Sequence, residues 1–145
     1  MNTFDPNYKP IMISFRIAQK VVVFNNENKI LFLRRSSMTK RAGGWDFPGG
    51  ALENEELDEG IIRETREEAN IEIFKLQPIG FATFDRKEPK MRTLMIGYMA
   101  DLKSGEVKLS WEHDEYKWLS INDAQKNNLP KDLKEFLKTS IKLRK

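Results

Sequence analysis

The chain has no cysteine and a single histidine, His113, among its 145 residues. The first absence removes disulfides, thiolate zinc sites and cysteine nucleophiles, and the second removes any multi-histidine metal centre. A metal held by this protein must therefore take mainly oxygen ligands, which favours magnesium, calcium or manganese over zinc or copper. Also missing is any apolar run near the roughly 18 residues that a membrane helix needs. The opening "MNTFDPNYKP" lacks a basic segment followed by an apolar one, the pattern of a secretory leader. The expectation is a soluble, cytoplasmic protein with no membrane partner.

What is present suits one domain over residues 1–145, long enough to bury a proper core. Hydrophobic residues make up 39% and charged residues 32%, ordinary for a globular chain and too apolar for a disordered one. No internal repeat, low-complexity stretch or linker divides it. The net charge of +3 and pI near 9.1 owe much to the C-terminal "KDLKEFLKTSIKLRK". There Leu133, Phe136, Leu137, Ile141 and Leu143 recur at roughly helical spacing with lysines between them. That pattern reads as a closing helix with a solvated basic face rather than as a nucleic-acid surface.

Along the chain, "SFRIAQKVVVFN" and "KILFLRRS" flank the turn cluster "NNEN" and read as a hairpin. The stretch "SMTKRAGGWDFPGG" is loop, and a helix is expected from about Glu56 to Ala69, stopped at Asn70, which tolerates the left-handed conformation. "IEIFKLQPIGFATFD" and "MRTLMIGYMADL" should pair as a second, antiparallel hairpin. "KSGEVKLSWEHDEYKWLS" reads as a polar connection, followed by a short helix capped by Ser120 or Asn122 and a terminal helix after Pro130. Strands interleaved with a central and a terminal helix argue for a mixed sheet covered on both faces.

The central helix poses a chemical question. Glu64, Glu67 and Glu68 sit three and four residues apart, so they project from one side. Leu57, Ile61, Thr65 and Ala69 form a neighbouring strip that can pack on the sheet, with Arg63 and Arg66 around the far side. Glutamates at i and i+4 repel by a few tenths of a kcal/mol, so this face costs the helix stability unless a divalent cation reverses the sign.

From Gly49 to Ile71 the chain resembles the Nudix hydrolases. Their box reads Gly, five residues, Glu, seven residues, Arg-Glu-apolar-any-Glu-Glu-any-Gly-apolar. Here Gly49, Glu55, Arg63, Glu64, Thr65, Glu67, Glu68, Asn70 and Ile71 occupy those positions. Thr65 replaces an aliphatic residue and Asn70 a glycine; neither change touches a carboxylate. The loop "PGGALENE" is one residue shorter than the usual pattern, with Asn54 where a glycine would stand, so the spacing is met from Gly49 rather than Gly50.

The resemblance implies an α/β/α sandwich with a mixed, mostly antiparallel sheet between helices. It also implies hydrolysis of a pyrophosphate linkage in a nucleoside diphosphate joined to a group X, with magnesium as cofactor and manganese as a possible substitute. Glu67 and Glu68 would be the main metal ligands, Glu64 a further ligand or the base for the attacking water, and the Gly49 carbonyl another ligand. Arg63 would hold neighbouring carboxylates in register, and Glu55 would shape the loop and helix entrance. Members also supply an acid from a late loop. Glu112 is the first candidate, with Asp114 and Glu115 as rivals. His113 is a conceivable general base, although a lone loop histidine more often serves the surface or the substrate. For phosphates, Arg34 and Arg35 end the second strand and alternation sends one of them to the site; Arg86, Lys87 and Arg92 are further candidates. Phe15, Phe84 or Tyr98 are available for a base or sugar to stack on, or belong to the core.

A nucleoside triphosphate is the leading substrate, with ADP-ribose, another nucleotide sugar or an RNA 5′ end as alternatives. No other nucleic acid is expected, and either a monomer or a homodimer fits. A non-catalytic nucleotide-binding regulator of the same family should have lost one or more of these carboxylates, and none is lost here.

Overall fold

The computed structural model describes residues 4–87 and 90–144. Six strands are present: β1 (Phe15–Phe24), β2 (Ile30–Arg35), β3 (Trp45–Asp46), β4 (Glu72–Arg86), β5 (Met91–Ser104) and β6 (His113–Leu119). Three helices accompany them: α1 (Leu57–Ala69), α2 (Ile121–Gln125) and α3 (Lys131–Arg144). The strands form one sheet in the order β3-β2-β1-β5-β4, with β6 paired to β2. Only β1 and β5 run parallel; the other pairs are antiparallel.

Alternation along β1 and β2 explains the layers. Val22, Phe24, Ile30 and Phe32 face one cluster closed by Leu133, Phe136, Leu137 and Ile141 of α3. Val21, Val23, Leu31 and Leu33 face the other, closed by Ile61 and Ala69 of α1. Neighbouring residues on a strand point to opposite faces, so a continuous apolar run such as "VVVF" belongs in a sheet buried on both sides. The result is the α/β/α sandwich that the resemblance implies.

Several local expectations change. β1 and β2 meet in register only at Phe24 and Ile30, because further along β3 takes the same edge of β2 and the glycine loop takes that of β1; the other edge of β2 pairs with β6 from Ile30–Leu119 to Arg35–His113. The supposed polar connection therefore contains a strand. Polar side chains such as Asp114 and Lys117 interrupt its apolar pattern, while its last residues, Trp118 and Leu119, pack on opposite faces of the sheet. Trp45 and Asp46 likewise form a short strand on β2 inside the expected loop. Leu57 and Leu143 stay exposed rather than joining the core. Asn70 ends α1 at φ 61°, and Ser120 caps α2 by accepting from the Asp123 N–H at 3.2 Å. Among the described residues no helix is long and apolar enough to cross a membrane.

Candidate active site

The glycine loop is fixed by backbone contacts that no other residue type permits. Gly49 has φ +145°, and a Cβ there would stand 1.9 Å from the Gln19 carbonyl oxygen. A Cβ on Gly50 would meet the Glu64 carboxylate at 2.8 Å. Both glycines thus let the loop lie between β1 and α1. Gln19 N–H donates to the Gly50 carbonyl at 2.9 Å and Val21 N–H to that of Pro48 at 3.0 Å. The Gly49 N–H in turn donates to Glu68 Oε2 at 3.0 Å, which ties the loop to the helix.

This loop, α1, β1 and the segment before β6 enclose a cavity of about 660 Å³ that is lined by Glu64, Glu67, Glu68, Glu112, Gly49 and Lys20, among others. Glu68 is only 3% exposed. Burial pushes its carboxyl up to about 8, with Glu112 and Glu64 adding repulsion and Lys20 and the Gly49 N–H opposing the rise. Glu64 is also raised, by burial first, while Arg63 counters and Glu67 and Glu112 add repulsion. These acids destabilise one another's charged forms, the condition that a bound cation relieves.

Arg63 does not point to the far side of α1. Its guanidinium grips Glu55 through two bonds of 2.7 Å, and it also reaches Glu67 at 3.1 Å and Glu64 at 3.2 Å. Residues four apart share a helix face, so Arg63 lies beside Glu67, and the loop carboxylate Glu55 draws it inward. Arg66 does turn outward, to Glu72 at 2.6 Å. Because Glu67 is drawn to Arg63, the acids share a cavity without closing into a ligand set. Among the described residues no three acids or histidines are arranged to hold one ion. The donors nevertheless fit a hard divalent cation: all are oxygens gathered in one cavity, and Glu64, Glu68 and Glu112 are partly or fully withdrawn from water.

Of the three late acids only Glu112 lines the cavity. Asp114 and Glu115 both bind Arg34 at 2.8 Å on the outer surface. That pairing also removes Arg34 from the site, whereas Arg35 lines the cavity and reaches Asp46 Oδ2 at 3.1 Å. Arg86 is not among the cavity residues; it stands near Arg16, whose guanidinium is lowered by burial and then by Arg86. Phe84 lines the cavity, while Phe15 and Tyr98 do not. His113 is buried in β6, with neither ring nitrogen partnered among the described residues. Burial pushes it down to about 4, so it stays neutral at physiological pH.

Sequence reasoning missed Lys20, Asp46, Arg16 and Thr93. Asp46 is 1% exposed and gathers Lys20 and Arg35 at 3.1 Å and Arg41 at 3.6 Å. Burial alone would raise its carboxyl, yet Lys20, the Phe47 N–H and Arg41 hold it below its ordinary value. Beyond the acids, Arg16, Thr93 and Phe84 form one row across β1, β5 and β4. Ala18 and Met95 form the next, under Leu133 of α3. The Thr93 hydroxyl is buried without a partner among the described residues. One clue was available: Arg16 and Lys20 are cations at even spacing in a strand that is otherwise apolar apart from Gln19, a sign that this face meets something other than core.

The family model for the NUDIX domain matches residues 14–140. The chain belongs to the Nudix hydrolase family. Similar proteins include the uncharacterized Nudix hydrolase YvcI of Bacillus subtilis, 33% identical over 112 residues, covering 74% of this chain and 67% of that one. The asymmetrical bis(5′-nucleosyl)-tetraphosphatase of Sus scrofa is 38% identical over 136 residues, covering 87% of each chain. An ADP-ribose pyrophosphatase of Methanocaldococcus jannaschii is 26% identical over 75% of this chain; the match spans 62% of that protein, less than two thirds of its length. Among solved structures, the MutT protein of Methanosarcina mazei Go1 superimposes with a TM-score of 0.76 at 28% identity, covering 94% of this chain and 99% of that one. This Nudix frame accounts for the glycine loop feeding an acidic helix.

Proposed function

We propose that this Nudix protein hydrolyses a pyrophosphate linkage in a nucleoside diphosphate joined to a group X, using magnesium or manganese, with a nucleoside triphosphate as the leading substrate. The observation that carries the proposal is the make-up of one cavity. Its acidic end holds Glu64, Glu67, Glu68 and Glu112, and its other end offers Arg16, Phe84 and an apolar floor at Met95 and Leu133. A nucleotide has the same two-part chemistry, phosphates at one end and a flat base at the other.

Glu67, Glu68, Glu112 and the Gly49 carbonyl would hold the ion, with Glu64 as a further ligand or as the base. When bound, the ion neutralises phosphate charge and makes a bound water a better nucleophile. Glu64, whose carboxyl burial has raised, would be suited to take a proton from the attacking water, since a base with pKa nearer neutrality transfers protons more effectively. Arg63 turns Glu55 and Glu67 to fixed positions beside it. Arg35, Arg41 and Lys20 are already engaged by Asp46 and Arg63 by its glutamates, which among the described residues leaves Arg16 as the cavity cation available for substrate oxygens. Phe84 and Met95 would give the flat base of the substrate an apolar surface to lie on.

The relatives are named for dinucleoside tetraphosphates and ADP-ribose, so nucleotide sugars and dinucleoside polyphosphates stand as the second reading, followed by RNA 5′ ends. A panel of these compounds, assayed with magnesium for released pyrophosphate, phosphate and nucleoside monophosphate, tests both. Turnover on at least one member that vanishes in chelator is expected. Undiminished turnover in chelator on every cleavable substrate would sink the metal assignment, and binding without turnover would favour a regulatory module.

A further inference from the structure

Lys20 projects from β1 into the cavity, and its ammonium donates to Asp46 Oδ2 at 3.1 Å, the Phe47 carbonyl at 3.3 Å and the Gly49 carbonyl at 3.4 Å. Three acceptors use all three of its protons. Asp46 does not depend on it, because Arg35 and Arg41 also approach the same carboxylate oxygen. The loop has less cover. Gly49 carries the carbonyl assigned above to the metal, and its N–H holds Glu68. Glu68 is buried with no ion pair of its own among the described residues, and Lys20 is the strongest electrostatic support for its charged form. One ammonium therefore sits where it touches the loop carbonyl and faces the most buried glutamate of the cavity.

We propose that Lys20 is a positioning residue that serves as the resident counter-cation of the metal-free site, holding the Gly49 carbonyl for Glu68, and that an entering divalent ion displaces it from both. This inference rests on the metal requirement proposed above. The ammonium and the ion seek the same oxygens, and like charges close together in a partly dry cavity repel strongly. Asp46 already holds the ammonium and retains it after displacement, so Lys20 can yield without leaving the cavity. The arrangement keeps the loop folded before the ion arrives and lowers the ion's affinity in return.

The test is calorimetric titration of magnesium and of manganese into the full chain, freed of metal, for the parent, Lys20→Gln, Lys20→Met and Lys20→Arg. Loss of the charge in the Gln and Met variants is expected to tighten Kd by about tenfold, whereas the Arg variant should stay near the parent. In chelator the Gln and Met variants should melt a few degrees lower than the parent, and rising magnesium should close the gap, since an ion that binds only the folded state stabilises the tighter binder more. If Lys20→Met does not fold, the Gln variant carries the measurement. Unchanged or weaker metal binding in the neutral variants overturns the inference. A raised KM with unchanged Kd for metal overturns it too, because that pattern belongs to a phosphate ligand. A parent that binds neither ion overturns the metal reading under Proposed function together with this one, whereas intact metal binding indifferent to Lys20 overturns this one alone.

Discussion

Glu68→Gln should make the metal-free protein more stable, and the gain should grow with pH. The carboxyl is pushed from its ordinary 4.5 to about 8 by burial. Below pH 4.5 it is protonated in both folded and unfolded chains and contributes nothing to the difference. Between pH 4.5 and about 8 only the unfolded chain releases the proton readily, so stability is lost as pH rises, and the loss is complete above the folded value. At 1.36 kcal/mol for each pH unit between the two values, the ceiling is about 5 kcal/mol; relaxation and water entry bring the expected figure to ~2–5 kcal/mol. Glutamine keeps an acceptor for the Gly49 N–H and presents its amide to the acids that repelled the carboxylate. His113 titrates in the opposite sense: its neutral form supports the fold above its ordinary 6.5, and that support is lost as pH falls toward 4. Comparing variant with parent at each pH cancels this contribution. The assay is urea unfolding in chelator from pH 4.5 to 8.5, followed by tryptophan fluorescence. A variant less stable than the parent at pH 8, or a difference that does not vary with pH, would refute the reasoning. Magnesium at pH 8 should then stabilise the parent more than the variant.

The other expectations concern individual side chains. Arg63→Lys should cost ~1–3 kcal/mol and most of the activity, because an ammonium cannot grip Glu55 through two parallel bonds while reaching Glu67; equal unfolding midpoints for variant and parent would count against it. Glu67→Gln should lower kcat by ~100-fold or more while leaving the melting temperature in chelator steady or raised, since Glu67 is largely exposed; a variant that melts early and keeps its rate would mean that Glu67 holds the fold. Glu112→Gln should lower kcat by ~10–100-fold, whereas Asp114→Asn and Glu115→Gln, which only loosen surface pairs with Arg34, should change stability by ~0–1 kcal/mol and leave the rate nearly intact. Gly49→Ala should destabilise by more than ~3 kcal/mol, judged by urea midpoints, because its Cβ would overlap the Gln19 carbonyl oxygen.

The acidic helix and the glycine loop were legible in the sequence because each rests on local rules, whereas the sandwich frame came from the resemblance that those two features carry. Helical spacing sets Glu64, Glu67 and Glu68 together whatever lies beyond them, and Asn70 ends the helix through its own backbone preference. A continuous run such as "VVVF" announces a strand buried on both faces. These features need only neighbours within a turn or two of the chain.

What the sequence left open was every contact between residues far apart. Nothing local says that β6 rather than β1 pairs along β2, yet that pairing puts Asp114 and Glu115 on Arg34 and leaves Glu112 facing the cavity. The parallel pairing of β1 with β5 aligns Arg16 with Thr93 across 77 positions of chain numbering. Asp46 collects Lys20 from another strand only because the sheet and the glycine loop bring β1 against β3. Burial is decided in the same way. Glu64, Glu67 and Glu68 are identical in type and adjacent in sequence, but the packing of α1 on the sheet leaves Glu67 in water and encloses Glu68. Residue type and spacing determined which carboxylates share a side of the helix; only the packed structure decided how much each is desolvated, and desolvation is what separates a solvated charge from a group with altered chemistry.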